Sequence, residues 1–148
     1  MAVIRLTKEF SFEMAHVLSG YDGLCRNVHG HSYRLFVTVK GEAEQDEKSP
    51  KYGMVMDFSV LKSIVKEEIV DRLDHAMLVR RNTPQAMQLK GIAERIYEVD
   101  YQPTCENMVI EFATKIRARL PQNVKLHSVK LHETATSFAE WYAEDEAL

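Results

Sequence analysis

Residues 10–33, FSFEMAHVLSGYDGLCRNVHGHSY, decide how this chain folds. Side chains alternate across an extended strand, so Phe10, Phe12, Met14 and His16 share one face of a strand predicted over Ile4 to Leu18. Ser19 to Asn27 carries two glycines and an aspartate and reads as a turn. Tyr33, Phe36, Val37 and Val39 are the aromatic and β-branched types of a second strand. A hairpin of these two strands lays His16 beside the start of its partner.

The same hairpin concentrates chemistry. His29 and His31 are two residues apart, so both point to one face, roughly 6–7 Å apart at the backbone. His16 can supply a third imidazole from the first strand. A lone strand histidine is ordinarily a half-buried polar group satisfied by hydrogen bonds. Here three stand together, with Gly30 between two of them and Cys25 four residues upstream of His29. Three neutral imidazoles with an open fourth position describe a catalytic zinc site, whereas a structural zinc takes four protein ligands. Imidazole also suits copper, iron and nickel. Cys25, at the end of the turn, can act as base or nucleophile where a nearby cation raises its thiolate fraction. Cys105, at a helix start, reads as a packing residue, although a helix N-terminus also acidifies thiols.

Outward from the hairpin, Gly41 to Gly53 has the polarity of a solvated loop. Leu61, Ile64, Val65, Ile69 and Leu73 recur at helical spacing, capped by Asp57 or Ser59, and predict a helix to about Asp74. Thr104 caps a second helix with Met108, Val109, Phe112, Ile116 and Leu120 on its apolar face, stopped by Pro121. Two strands follow, Lys125 to Glu133 and Ser137 to Ala143, around a turn at Thr134 to Thr136. The order is ββααββ, with an extra helical turn or two expected between Thr83 and Asp100. Asp74 beside His75 can fix an imidazole's tautomer or charge, or merely place a cation at a helix end. Glu133 shares a face with Val129 and Leu131. A carboxylate carried inward needs a partner, either a basic side chain or a ligand edge with two adjacent N–H donors.

The 148 residues, 45% hydrophobic and 28% charged, fit one globular domain over 1–148. The net charge of −3 gives no electrostatic ground for a nucleic-acid partner. No apolar run approaches the roughly 20 residues of a membrane span, so a cytoplasmic protein without membrane contact is expected. Two cysteines do not make a disulfide framework.

Taken in order, FSFEMAH, CRNVHGHSY, GMVMDFSVLK, LDHAML, PTCEN and LHETATSFAEWY resemble the family of 6-pyruvoyltetrahydropterin and 6-carboxytetrahydropterin synthases across nearly the whole chain. The resemblance implies an α+β tunnelling fold (T-fold): a four-stranded antiparallel sheet with two helices on one face, closing into a barrel in a homo-oligomer, commonly a hexamer made as a dimer of trimers. It implies zinc on His16, His29 and His31, a catalytic Cys25, a proton-relay pair Asp74 and His75, and Glu133 as pterin anchor. Thr104 and Glu106 would lie near the pterin ring, and active sites would lie between subunits. Three residues separate Cys25 from His29, as in the 6-carboxy branch of queuosine biosynthesis; the 6-pyruvoyl enzymes typically have a longer gap. A folate branch carries glutamate where this chain keeps Cys25.

The implied reaction takes 7,8-dihydroneopterin triphosphate to 6-carboxytetrahydropterin, acetaldehyde and triphosphate, with Arg26, Arg80 and Arg81 as candidate triphosphate cations. The rivals are the 6-pyruvoyl reaction, which keeps all three side-chain carbons, and a zinc- or pterin-binding protein without catalysis. A mere binder needs none of Cys25, Asp74 and His75. The stretch from Thr83 to Asp100 departs from the compact family members in length.

Overall fold

A computed structural model describes residues 1–147. Its strands are β1 (Val3–His16), β2 (His29–Glu42), β3 (Ala76–Arg80), β4 (Ile96–Val99), β5 (Lys125–His132) and β6 (Phe138–Tyr142). The helices are α1 (Phe58–Val65), α2 (Asp71–Leu73), α3 (Pro84–Leu89) and α4 (Cys105–Arg117). A π-helical turn, Lys66–Val70, joins α1 to α2, so one rod runs from Phe58 to Leu73. The strands form one sheet in the order β4-β3-β1-β2-β5-β6.

The α+β class and the central β1–β2 hairpin follow the sequence reading. The strand count does not: the sheet has six strands, not four, and it is mixed, not purely antiparallel. β3 runs parallel to the end of β1, pairing Met14 with Ala76 and His16 with Leu78, and β4 runs parallel to β3. The expected helical turn in 83–100 exists as α3, but Ile96 and Tyr97 belong to β4. Parallel neighbours need a crossover connection, which α3 helps supply.

One face of the sheet packs against the rod and α4. Phe10, Phe12 and Met14 of β1, Tyr33, Leu35, Val37 and Val39 of β2, and Val129 and Leu131 of β5 meet Leu61, Ile64, Val65 and Ile69 from the rod and Met108, Phe112 and Ile116 from α4. Each such side chain fully removed from water contributes about 1.5–3 kcal/mol before entropy is set against it. Side-chain oxygens start both main helices. Asp57 Oδ1 accepts from the Ser59 amide at 2.8 Å, and Thr104 Oγ1 accepts from the Asn107 amide at 3.2 Å. β1 ends at His16, two residues short of the expected Leu18, because the Leu18 amide donates to the Cys25 carbonyl (3.0 Å) and turns the chain. Among the described residues no helix is long and apolar enough to cross a membrane.

Candidate metal centre and its surroundings

β1 and β2 are in direct register, with His16 opposite His29 at the hairpin's loop end. His31 lies two residues further along β2, on the same face. The three rings converge, their ligand nitrogens all within 4.8 Å of one another. Backbone carbonyls set two tautomers. His16 Nδ1 donates to the Pro103 carbonyl at 2.8 Å, and His29 Nδ1 donates to the Asn27 carbonyl at 2.7 Å. With both rings neutral, neither Nε2 carries a proton, yet the two lie 2.9 Å apart. Two lone pairs facing each other at that distance repel unless a proton or a metal ion is shared between them. His31 Nε2 is likewise buried without a hydrogen-bond partner. Burial, the largest influence, lowers the pKa of His16 and His31 and favours the neutral, ligating form. The trio fits a metal ion, and the carbonyl partners are the outer-shell bonds that orient ligating imidazoles.

Glu133 lies just past β5, its amide donating to the Ser137 carbonyl at 3.0 Å. Its Oε1 is 3.4 Å from His16 Nε2 and 3.5 Å from His31 Nε2. The carboxylate therefore faces the trio, and among the described residues neither a lysine nor an arginine is its partner. Tyr33 lies beside the trio, fully buried, with its ring centroid 5.5 Å from that of His31. Burial first, and the Glu133 charge second, raise the Tyr33 pKa and keep the phenol protonated. Sequence reading placed Tyr33 in a strand without seeing it as part of the site; the period-two run His29, His31, Tyr33 was the available signal. The Pro103 and Asn27 carbonyls had none.

Cys105 donates its thiol to the Leu131 carbonyl at 3.2 Å, and burial pushes its pKa up to about 11. That is a packing cysteine. Cys25 sits half-buried in a short 3₁₀ turn, Leu24–Arg26, between β1 and β2.

Asp74 and His75 end the rod. Asp74 Oδ1 accepts from the Glu13 amide at 2.9 Å, and the His75 amide donates to the Glu13 carbonyl at 2.6 Å. The Glu13 amide, foremost, holds the Asp74 carboxyl below its usual range. His75 Nδ1 lies 3.1 Å from Asp74 Oδ2. Its φ of 62° is left-handed, a conformation that a residue with a Cβ adopts only where surroundings enforce it. The exposed His75 ring and His31 both line an open groove of about 370 Å³ beside Gly30 and Glu13, large enough for a small heterocycle. Cys25 does not line it.

Thr104 serves as the α4 cap, and its neighbour Pro103 touches His16. Glu106 is exposed and turned to a different groove, with Ile110 and Trp141. Arg81 is committed to Asp100 and to the Glu98 carbonyl, while Arg26 and Arg80 are exposed.

The sequence matches the family described as 6-pyruvoyl tetrahydropterin synthase over residues 5–144. It is 38% identical over 145 residues to a Haemophilus influenzae protein named 6-carboxy-5,6,7,8-tetrahydropterin synthase, covering 94% of this chain and 99% of that one. A Synechocystis protein of the same name is 36% identical, covering 92% and 91%. The fold superposes on Caenorhabditis elegans 6-pyruvoyl tetrahydropterin synthase with a TM-score of 0.71 at 24% identity, covering 97% of each chain. With the match spanning the hairpin, the rod, α4 and the last two strands, this chain is an enzyme of the 6-pyruvoyl tetrahydropterin synthase family.

Proposed function

We propose that this enzyme is a zinc-dependent, cytoplasmic lyase of queuosine biosynthesis, converting 7,8-dihydroneopterin triphosphate and water to 6-carboxy-5,6,7,8-tetrahydropterin, acetaldehyde and triphosphate. The observation that carries this reading is the convergence of three imidazoles, their ligand nitrogens within 4.8 Å of one another, beside Glu133 and a groove that also reaches His75. It occurs in a chain whose relatives bear the 6-carboxy name.

His16, His29 and His31 would hold the ion, and Glu133 would accept the paired N–H donors of the pterin edge, fixing the ring so that its side chain meets the trio. Zinc, when bound, supplies Lewis acidity that lowers the pKa of the substrate's side-chain hydroxyls. Cys25 would take the proton from the carbon attached to the ring. His75, oriented by Asp74, would return and exchange protons along the side chain. Triphosphate leaves by elimination. Adding one water across the resulting two-carbonyl side chain balances a one-carbon acid against a two-carbon aldehyde. In the shared site that the family resemblance implies, one subunit's Cys25 would meet another's Asp74 and His75 within a hexamer.

The test is incubation of zinc-loaded protein with 7,8-dihydroneopterin triphosphate, followed by mass spectrometry of the pterin and an acetaldehyde assay. A carboxylated pterin with acetaldehyde is expected. A pyruvoyl product would move the chain to the three-carbon reaction, and absence of turnover would reject the lyase.

A further inference from the structure

The stretch from Thr83 to Asp100 delivers one side chain to the end of the rod. Arg95 lies just before β4, where its own carbonyl accepts from the Met77 amide at 2.9 Å. Its Nη2 reaches three backbone carbonyls: Asp71 at 3.1 Å, Arg72 at 3.0 Å and Asp74 at 3.1 Å. These belong to the last turn of the rod, where helical carbonyls have no partner within the helix and carry its partial negative charge.

Asp74 is extended, with φ −61° and ψ 124°, and His75 is left-handed, so the chain makes two abrupt changes of direction in two residues. From the β1 side the Glu13 amide donates to the Asp74 carboxylate and the Glu13 carbonyl accepts from the His75 amide. From the other side the contact is Arg95.

We infer that Arg95 is a positioning residue that clamps the rod's C-terminus and so fixes the direction in which Asp74 and His75 present the His75 ring to the groove. The inference rests on the proton-relay assignment of that pair. Arg95 acts through the backbone, its Nη2 shared among three carbonyls at the end of the rod. Removing the guanidinium leaves those carbonyls to water and frees the carbonyl side of the Asp74–His75 peptide, whose amide is held by the Glu13 carbonyl.

The test compares the full-length zinc-loaded parent with Arg95→Met, which keeps the stem and removes charge and donors, and Arg95→Lys, which keeps a cation at the helix end. Steady-state kinetics and bound metal are measured together with the histidine-ring ¹H–¹³C spectrum, in which the His75 signal is assigned by its absence from His75→Gln. For Arg95→Met, kcat should fall about tenfold while KM and metal content stay within about twofold, because orientation is lost and substrate binding is not. The His75 signal should move while those of His16, His29 and His31 stay, and Arg95→Lys should be intermediate in kcat. An unchanged kcat, a raised KM at constant kcat, or an unmoved His75 signal would overturn the inference. Should Arg95→Met fail to fold, Arg95→Lys decides by the same readings. Should the parent itself make no product, the lyase reading fails, and the His75 signal alone decides the role of Arg95.

Discussion

His16 and His29 present bare Nε2 atoms to each other because each ring spends its only proton on a backbone carbonyl. That arrangement is unfavourable for an empty pair of rings and favourable for a pair that shares an ion. Replacing His29 with alanine should leave a folded hairpin that no longer retains zinc through dialysis, read by elemental analysis; full occupancy in that variant would remove the three-histidine centre. The two cysteines differ in the same physical terms. Cys105 is buried, bonded to a carbonyl and protonated up to about pH 11, whereas Cys25 is half-buried. Iodoacetamide at neutral pH should therefore label Cys25 and spare Cys105, with activity lost in step with Cys25 labelling; peptide mass spectrometry distinguishes the two. The convergence of His16, His29 and His31 was legible from sequence spacing. The Pro103 and Asn27 carbonyls were not, since a backbone acceptor leaves no mark in a residue's identity.

The rod that begins at Asp57 joins local chemistry to site placement. Hydrogen bonding to Lys51 first, then to the Ser59 amide, lowers the Asp57 pKa in the folded protein. A depressed folded pKa contributes stability above the unfolded value and loses it as pH falls through the folded one. Asp57→Ala should consequently lower Tm at pH 7, and the gap to the parent should shrink once pH falls below about 4, where carboxylates start to protonate. A gap that held constant to pH 2 would assign the effect to something other than the cap charge. Inside the rod, Leu61→Ala should cost about 2–5 kcal/mol in chemical denaturation, as buried leucines do. Both main helices were readable because caps and a 3.6-residue period reinforce each other. β3 and β4 were missed because AMLVR and IYEV are too short for periodicity to tell strand from helix. Their pairing is also parallel and set by distant partners.

At the scale of the molecule, the sheet brings the trio to one end of its central hairpin and Asp74 and His75 to the neighbouring strand end, leaving Cys25 in the connecting turn. If two subunits share each site, Cys25→Ala and His75→Gln should each be inactive alone. Unfolding and reassembling an equal mixture should restore about a quarter of parental activity, the fraction of interfaces that receive both intact residues by chance. No recovery in a mixture that reassembles would place the whole site within one chain. The long β1–β2 ribbon pairs residue for residue from Val3 with Glu42 to His16 with His29. A slip of one residue would cost little of that ladder, yet it would turn one strand's side chains to the opposite face and pull His16 away from its partners. The buried apolar face of the ribbon already selects that alignment, and an ion captured by the trio would be a second proofreader of it during folding, rewarding only the register that brings the three imidazoles together.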